Sequence, residues 1–413
     1  MRRFSFTVLT LILVQITFGQ NIVDWRGPGR TGVYNETGLL TEWPESGPEL
    51  LWSVENIYKG YSSVSIANNT IYLTGINDNN DVLIALDMQG NIKWQTAYGR
   101  AWDGSYAESR CTPTIENDKV YVSSGLGDIT CLNAFSGKII WAVKASEIFE
   151  GAYGRWGLAE SLLILNDKVF FTPGGNKTTI LAFNKLTGEL IWQSESINDD
   201  PSYVSPLIIN RNGKKLIVTV TANYVIGVLP VNGKILWKFD YGSLIDEGGR
   251  NNQTNTPLYY DGKIFVTSGY NHKCLMLNLS EDAESVSKAW VNSLLDVHHG
   301  GVVKVSNYIY GSNWQDNRMG NWICLDWNTG ELKYDFKWIN KGSIISAEGK
   351  LYCYEEKSGN IALVNATPEK FDIISSFKIP PRTGPYWSHP VIKDGILYIR
   401  NMDALMAFDI KLK

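Results

Sequence analysis

The sequence predicts an all-β chain that folds into an eight-bladed β-propeller of four-stranded antiparallel blades. Three observations predict this fold. A phrase that places tryptophan four residues after a turn glycine recurs at intervals of 44 to 53 residues, and each interval contains apolar runs broken by two-residue turns. The last interval lacks a strand that the beginning of the chain can supply. Periods of this length are typical of propellers and other repeat arrays.

The recurring phrase places an aromatic residue four positions after a turn glycine. Its copies end at Trp94, Trp141, Trp192, Trp237, Trp290 and Tyr334. The spacings between them are 47, 51, 45, 53 and 44 residues. The copy at Trp290 has lost its glycine, and in the last copy tyrosine replaces tryptophan. The regular spacing indicates that each interval is one structural unit.

Each unit also contains a hairpin signal, since its apolar runs are joined by turns such as Asn117-Asp118 and Asp261-Gly262. Short polar turns between apolar runs are typical of β-hairpins. Eight hairpins are predicted, starting near Ser62, Cys111, Glu160, Val204, Asn255, Gly300, Gly342 and Ser388. Each unit therefore has strands A to D, with the aromatic residue on strand D or at its entry.

The two ends of the chain complement each other. The last unit stops after its third strand, at 405–410, while residues 50–54 carry an orphan copy of the Trp phrase. Pairing of these segments would close the ring and protect its edges. We therefore predict one propeller domain over 50–413, preceded by an extension over 21–49. A seven-bladed ring is the alternative if unit seven (343–380), whose strand D lacks Trp, is irregular.

The first twenty residues have the features of a cleaved signal peptide. Arg2 and Arg3 precede an apolar run over 4–18, which ends in Gly19. We predict cleavage near 19–21 and export to the periplasm or the medium. No cysteine lies near that point, so lipidation is not expected, and no later segment has the length of a membrane span.

Composition excludes several classes of protein. With 44% hydrophobic and 19% charged residues among 413, the chain can bury a core. A net charge of −4 argues against nucleic-acid binding. The five cysteines form no C-x-x-C pair, which argues against zinc ribbons and thioredoxin-type sites, and we expect buried thiols. We expect a monomer.

Two stretches carry a family resemblance. Residues 85–94 (ALDMQGNIKW) and 182–192 (AFNKLTGELIW) resemble the repeat of pyrroloquinoline-quinone (PQQ) propellers. The opening stretch 24–32 (DWRGPGRTG) resembles the N-terminal extension of secreted bacterial propellers of this type. The resemblance implies that the Ala and Trp of each repeat dock neighbouring blades.

The resembling superfamily has an enzymatic and a non-enzymatic branch. Its quinoprotein alcohol dehydrogenases hold PQQ between a Trp and a disulfide of adjacent cysteines, beside Ca²⁺, whereas this chain has no adjacent cysteines. Polyvinyl-alcohol dehydrogenase-like members share the repeat as well. The barrel-assembly lipoprotein of the outer membrane is not an enzyme, but here its lipidation cysteine is missing. We expect no cofactor, with PQQ and Ca²⁺ as the alternative.

A ligand site is predicted at one mouth of the central channel, where residues just before the eight A strands converge. Aligning the units gives one column of mostly small residues: Ser63, Thr112, Ser161, Ser205, Thr256, Gly301, Ser343 and His389. These residues suit a crowded axis. The candidate ligand-binding residues in and beside this column are Arg110, Trp156, Glu160, Asn255, His298, His299, Lys341, Trp387 and His389.

The candidates favour a polar organic ligand, with Trp stacking a sugar ring and Arg110 or Lys341 holding a carboxylate or sulfate. Glu160 or a histidine would transfer protons if chemistry occurs. Glu160 and the three histidines are suitable metal ligands. We nevertheless predict no metal site, because adjacent histidines on an extended segment point apart.

The sequence thus favours an exported binding or scaffold module for a small-molecule, carbohydrate-like or peptide ligand, or for an envelope protein. The alternative is a divergent PQQ-dependent alcohol, polyol or sugar dehydrogenase. Neither nucleic acid nor a membrane span is expected.

Overall fold

The computed structural model describes residues 22–413, so the predicted signal peptide lies outside the described residues. Within them, 34 strands form eight antiparallel sheets of four strands each, and two sheets gain a further strand from the N-terminal segment. The helical elements are α1 (Ala145–Ile148) and two 3₁₀ turns, Pro28–Arg30 and Gly242–Leu244. In the part of the chain that the structure describes, no helix has the length and apolar character needed to cross a membrane.

The strands follow one another along the chain. Those of the N-terminal segment and of blades 1 to 4 are β1 (Ile22–Val23), β2 (Val33–Tyr34), β3 (Glu49–Val54), β4 (Ser65–Ala67), β5 (Thr70–Asn77), β6 (Asn80–Leu86), β7 (Ile92–Arg100), β8 (Thr114–Glu116), β9 (Lys119–Ser123), β10 (Ile129–Asn133), β11 (Ile139–Val143), β12 (Leu163–Leu165), β13 (Lys168–Phe171), β14 (Leu181–Asn184), β15 (Leu190–Gln193), β16 (Leu207–Arg211), β17 (Lys214–Val220), β18 (Tyr224–Val228) and β19 (Ile235–Asp240). Those of blades 5 to 8 are β20 (Leu258–Tyr260), β21 (Lys263–Val266), β22 (Cys274–Leu279), β23 (Val286–Asn292), β24 (Val302–Val305), β25 (Tyr308–Ser312), β26 (Trp322–Asp326), β27 (Leu332–Phe336), β28 (Gly342–Ala347), β29 (Lys350–Glu355), β30 (Asn360–Asn365), β31 (Asp372–Lys378), β32 (Val391–Lys393), β33 (Ile396–Asn401) and β34 (Ala404–Asp409).

The ring closes as the sequence predicts. Blade 8 has the order β3-β34-β33-β32, so its outermost strand comes from the start of the chain. Strands β3 and β34 pair antiparallel, with Trp52 opposite Ala407 and Val54 opposite Leu405. Unit seven forms a complete sheet, β28 to β31, which excludes the seven-bladed alternative. The prediction of an eight-bladed propeller closed by an N-terminal strand is confirmed.

The repeated Trp and Gly residues join one blade to the next. The ring of Trp141 on blade 2 packs directly against Gly188 in the turn of blade 3, and its Nε1 donates to the Lys185 carbonyl there, 3.0 Å away. The same ring-on-glycine contact joins Trp52 to Gly90, Trp94 to Gly137, Trp192 to Gly233 and Trp290 to Gly330. A tryptophan therefore docks where the following blade has kept its turn glycine.

The weakened copies of the phrase fit this rule. Blade 5 has no turn glycine in its copy, and the Trp237 ring of blade 4 instead packs on Gly227 of its own blade. Blade 7 also lacks the phrase, and Tyr334 of blade 6 contacts the ring of Phe371 there. Loss of the glycine in one blade thus accompanies a changed contact for the aromatic residue of the blade before it.

Replacing a glycine that contacts a tryptophan ring should cost more unfolding free energy than replacing another glycine with a positive φ. Gly188 has φ +75°, and an added Cβ would lie 2.8 Å from the Trp141 ring. Gly213 has φ +87° with open space around it. We expect Gly213→Ala to lose about 1 kcal/mol of unfolding free energy from backbone strain alone, and Gly188→Ala about 3 kcal/mol. Urea unfolding measures both, and equal losses would contradict blade docking through this contact.

Candidate functional site

Side-chain hydroxyls link successive blades around the channel. The backbone N–H of Ser63 donates to Thr112 Oγ1 at 2.9 Å, and that of Thr112 donates to Ser161 Oγ at 3.2 Å. The N–H of Ser161 in turn donates to Ser205 Oγ at 2.9 Å. These four positions of the predicted column are therefore neighbours in space, and their hydroxyls satisfy backbone groups that strand pairing leaves free.

The N-terminal segment crosses the channel, which the sequence did not indicate. Strand β1 pairs antiparallel with β8 of blade 2, and β2 pairs in parallel with β28 of blade 7. Between them, Arg30 donates to the carbonyls of Ser161 at 2.9 Å and Leu162 at 2.8 Å on blade 3, and forms an ion pair with Asp24 at 3.0 Å. One end of the segment is thereby attached to blades 2 and 3.

Arg26 attaches the segment to the opposite side of the ring. Its guanidinium is buried and donates to the carbonyls of Val302 at 2.6 Å and Ile344 at 3.1 Å. It also lies 2.6 Å from Nδ1 of His389 on the connection into blade 8. Because two arginines only four positions apart, Arg26 and Arg30, hold blades 3, 6, 7 and 8, the segment closes the channel below the predicted mouth.

The closed channel leaves a cavity of about 270 Å³ at the mouth. Trp25 lines it next to the two arginine anchors, with its ring 5.3 Å from that of His389. Six of the nine predicted residues line this cavity: Arg110, Trp156, His298, His299, Trp387 and His389. The cavity is a dead-end pocket rather than a through-channel, and we call it the axial pocket.

Two aromatic groups form walls of the axial pocket. Trp387 lies 5.0 Å from Tyr61 and 5.4 Å from Tyr106, measured between ring centroids. Trp156 lies 5.8 Å from Tyr203 and stacks on Tyr270 at 6.4 Å. All these rings line the cavity. Six aromatic side chains therefore form two walls of the pocket.

The charged groups of the lining are all basic. Arg110 and Arg250 line the cavity, and its lining contains no Asp or Glu. The Arg110 guanidinium donates to the Tyr106 carbonyl, and Arg250 is exposed and lies 5.9 Å from the centroid of the Tyr270 ring. An anionic group entering this pocket meets two cations, and no carboxylate belongs to the lining itself.

Glu160 differs from its predicted position, because it lies behind the pocket wall rather than in the lining. Its side chain is buried, and one carboxyl oxygen accepts the Thr172 N–H at 3.0 Å while the other has no partner. Burial raises the pKa of Glu160 to about 8. The group is a buried neutral acid at neutral pH, and proton transfer to a ligand is not supported by this position.

The raised pKa of Glu160 makes stability depend on pH. A carboxyl group with a higher pKa in the folded state binds more protons there than in the unfolded chain. The free energy of unfolding therefore falls as the pH rises from the usual pKa of 4.5 to the folded pKa of about 8. Asp81 and Asp296, each with a pKa raised to about 7 by burial, add to the same slope. We expect Glu160→Gln to match the wild type at pH 5 and to exceed it by roughly 2–4 kcal/mol at pH 8.5. Urea unfolding at both pH values tests this, and an unchanged slope in the variant would contradict it.

Asn255 and Lys341 also lie outside the lining and act on its residues instead. The Asn255 amide donates to the Val297 carbonyl at 2.7 Å and accepts the Gly301 N–H at 3.1 Å, which fixes the bend between them. Lys341 Nζ is buried and pairs with Glu356 Oε1 at 2.7 Å. Both residues were predicted to touch ligand, but their polar atoms are used within the protein.

The adjacent histidines do not point apart as predicted. The centroids of the His298 and His299 rings lie 3.4 Å apart, because the chain bends here and strand alternation does not apply. His298 Nε2 lies 2.8 Å from the Tyr270 hydroxyl, and His389 Nε2 lies 2.8 Å from the His299 carbonyl. Burial lowers the pKa of all three histidines well below the usual value. They are neutral imidazoles at neutral pH.

Sequence reasoning missed Trp25, Arg250 and Glu356. The search was confined to residues just before the A strands, whereas Trp25 comes from the extension and Glu356 follows β29. The sequence signal that could have pointed to Trp25 is the motif over 24–32, in which two arginines lie among glycines.

Comparison with known proteins agrees with this architecture. The profile of a family described as outer membrane protein assembly factor BamB matches residues 78–334. Uncharacterised proteins of Rickettsia conorii and Rickettsia prowazekii are 28% and 23% identical to the chain over 189 residues. These matches cover 42% and 43% of the chain and 39% of each relative. The chain thus matches about two fifths of the length of these curated relatives.

Solved structures share the fold at low sequence identity. BamB from Moraxella catarrhalis superposes with a TM-score of 0.61 at 14% identity, covering 88% of this chain and 98% of that one. A europium-containing methanol dehydrogenase gives 0.68 at 12% identity, covering 91% and 89%. The predicted resemblance to PQQ-like propellers is confirmed. Since the family profile spans more than half of the sequence, the chain belongs to the BamB family of PQQ-like β-propellers.

Proposed function

We propose that this protein is an exported binding propeller whose axial pocket holds the terminal unit of an acidic, carbohydrate-like ligand. The observation that carries the proposal is the composition of the pocket: aromatic walls, two arginines and no carboxylate in the lining. Flat aromatic faces stack on sugar rings, and guanidinium groups bind carboxylate or sulfate in bidentate fashion.

The shape of the pocket supports recognition of a chain end. The extension closes the floor beside Trp25, so a long chain cannot thread through the ring. A volume of about 270 Å³ is at the small end of ligand sites and suits one or two sugar units. The rest of an extended ligand would leave through the open mouth.

The donor set of the pocket does not suit PQQ with Ca²⁺, the alternative cofactor. The five cysteines are free and buried, and none lines the pocket. Ca²⁺ takes six to eight oxygen ligands, which a lining without carboxylates does not offer. This supports binding rather than a dehydrogenase function.

The test is a calorimetric titration of the mature protein with uronic-acid trisaccharides and their methyl esters. We expect the acids to bind and the uncharged esters to bind at least about tenfold more weakly, because ion pairing with Arg110 is lost. Arg110→Met should weaken acid binding by about tenfold or more. The matched control is Arg155→Met, since Arg155 lies near the mouth over the Trp156 ring but outside the lining.

Equal binding of acids and esters, or acid binding that Arg110→Met leaves unchanged, would contradict the proposal. Failure of every acidic trisaccharide to bind would contradict it as well.

A further inference from the structure

Three potential metal ligands converge beside the axial pocket. A ring nitrogen of His298, one of His299 and a carboxylate oxygen of Glu356 all lie within 4.8 Å of one another. Among residues 22–413, no other three His, Cys, Asp or Glu side chains come together in this way. The two histidines line the pocket, and Glu356 lies behind them.

Two ring nitrogens of this cluster lack hydrogen-bond partners in the protein. The Nδ1 atoms of His298 and His299 are both buried, and neither of them makes a hydrogen bond within the protein. The side chain of His298 is only 7% exposed, and its Nδ1 lies 3.7 Å from Glu356 Oε2, too far for a hydrogen bond. A separation of this size is close to that between two ligands on one small metal ion, whose bonds are about 2.0–2.2 Å long. Buried polar atoms without partners in the protein are free to bind a water molecule or a metal ion.

Neighbouring residues hold these groups in an orientation that suits metal binding. His298 Nε2 lies 2.8 Å from the Tyr270 hydroxyl, and in the tautomer in which Nε2–H donates to this hydroxyl, Nδ1 carries the lone pair that a metal ion needs. Lys341 Nζ contacts Glu356 Oε1 at 2.7 Å and the Asp316 carbonyl at 2.9 Å, which leaves Oε2 facing His298. Such partners typically fix the ring and carboxylate orientation at metal sites.

We propose that His298, His299 and Glu356 bind one divalent transition-metal ion of the Zn²⁺ type, with an open coordination position toward the axial pocket. Two imidazoles and one carboxylate suit Zn²⁺ or Co²⁺ and not Ca²⁺. Three protein ligands leave room for a water molecule or a ligand oxygen. Lys341 adds a positive charge behind the carboxylate, so binding is weaker than at closed four-ligand zinc sites. This proposal does not rest on the saccharide function.

The test uses the mature chain without a histidine tag, stripped with chelator and titrated with Co²⁺ in the visible range and with Zn²⁺ by competition. We expect one ion per chain and the ligand-field absorption of low-coordinate Co²⁺. His299→Ala and Glu356→Gln should each weaken Co²⁺ binding by about 100-fold or more. Near-ultraviolet circular dichroism checks that each variant is folded.

The matched control is Glu160→Gln, which makes the same substitution at another buried carboxyl group. Glu160 lies outside the pocket lining and outside the metal cluster, so this variant should keep its Co²⁺ affinity within about threefold. Absence of Co²⁺ absorption in the wild type would overturn the proposal. So would a folded Glu356→Gln variant that binds as tightly as the wild type, or loss of binding in folded Glu160→Gln. Saccharide titrations of the metal-free protein give a separate answer on the proposed function.

Discussion

A chain of residues 55–413 should not unfold cooperatively near the unfolding temperature of a chain of residues 22–413. The deletion removes β3, so blade 8 loses its outer strand and β34 becomes an unpaired edge. It also removes Tyr34, Leu39 and Trp43, which are buried against blades 7 and 8. Each large apolar side chain contributes about 2–5 kcal/mol, and a domain has only about 5–15 kcal/mol in total.

The matched control is a chain that lacks only residues 22–34. This control keeps β3 and the buried Leu39 and Trp43, so the ring still closes, but it lacks the segment that crosses the channel. Calorimetry should give one sharp transition at a lowered temperature for this control and a broad or absent one for the longer deletion. If both deletions unfold with the same sharpness and temperature, ring closure by β3 contributes nothing to stability.

Arg30→Met should lose about 3 kcal/mol of unfolding free energy. The Arg30 guanidinium is 1% exposed, and its loss breaks the ion pair with Asp24. It also takes a donor from the Ser161 and Leu162 carbonyls. Removing one partner of a buried, hydrogen-bonded ion pair typically costs about 3–5 kcal/mol, and Asp24 keeps some contact with solvent, which reduces the loss.

The same substitution at exposed Arg250 serves as its control. Arg250 has no ion pair in the described residues, and surface changes of this kind typically stay within about 0.5 kcal/mol. Urea unfolding of both variants gives the comparison. Similar small losses for Arg30→Met and Arg250→Met would show that the extension does not depend on its anchor in blade 3.

The fold was predictable because its determinants repeat. The phrase ending at Trp94, Trp141 and Trp192 marks a contact between neighbouring blades that recurs around the ring, and its orphan copy at Trp52 indicated which strand closes the ring. The turn glycines could be seen in the sequence, but their pairing with the tryptophan of the preceding blade could not, since that contact joins residues more than thirty-five positions apart.

The pocket was predictable only in part. Aligning the units placed Arg110, Trp156 and Trp387 at one mouth of the channel, because the connection that precedes strand A lies at the same end of every blade. The path of the extension was not predictable, since Arg26 and Arg30 are held by carbonyls of distant blades rather than by a local pattern.

The burial of single polar groups could not be predicted from the sequence either. Whether Glu160 or Lys341 faces the channel or the core depends on neighbours such as Thr172 and Glu356, which lie elsewhere in the chain. The orientation of His299 depends on the bend that Asn255 holds through Gly301. Strand alternation was the wrong rule for that segment.

Hydrogen–deuterium exchange of residues 22–413, followed by mass spectrometry, tests most directly whether the N-terminal segment closes the ring and forms the floor of the pocket. The backbone N–H groups of Gly27, Arg30 and Gly32 are hydrogen-bonded within the channel. Peptides covering 22–34 and 49–54 should therefore exchange as slowly as those from inner blade strands. Complete exchange of both segments within seconds, while the blade strands stay protected, would show an open channel and contradict the dead-end pocket.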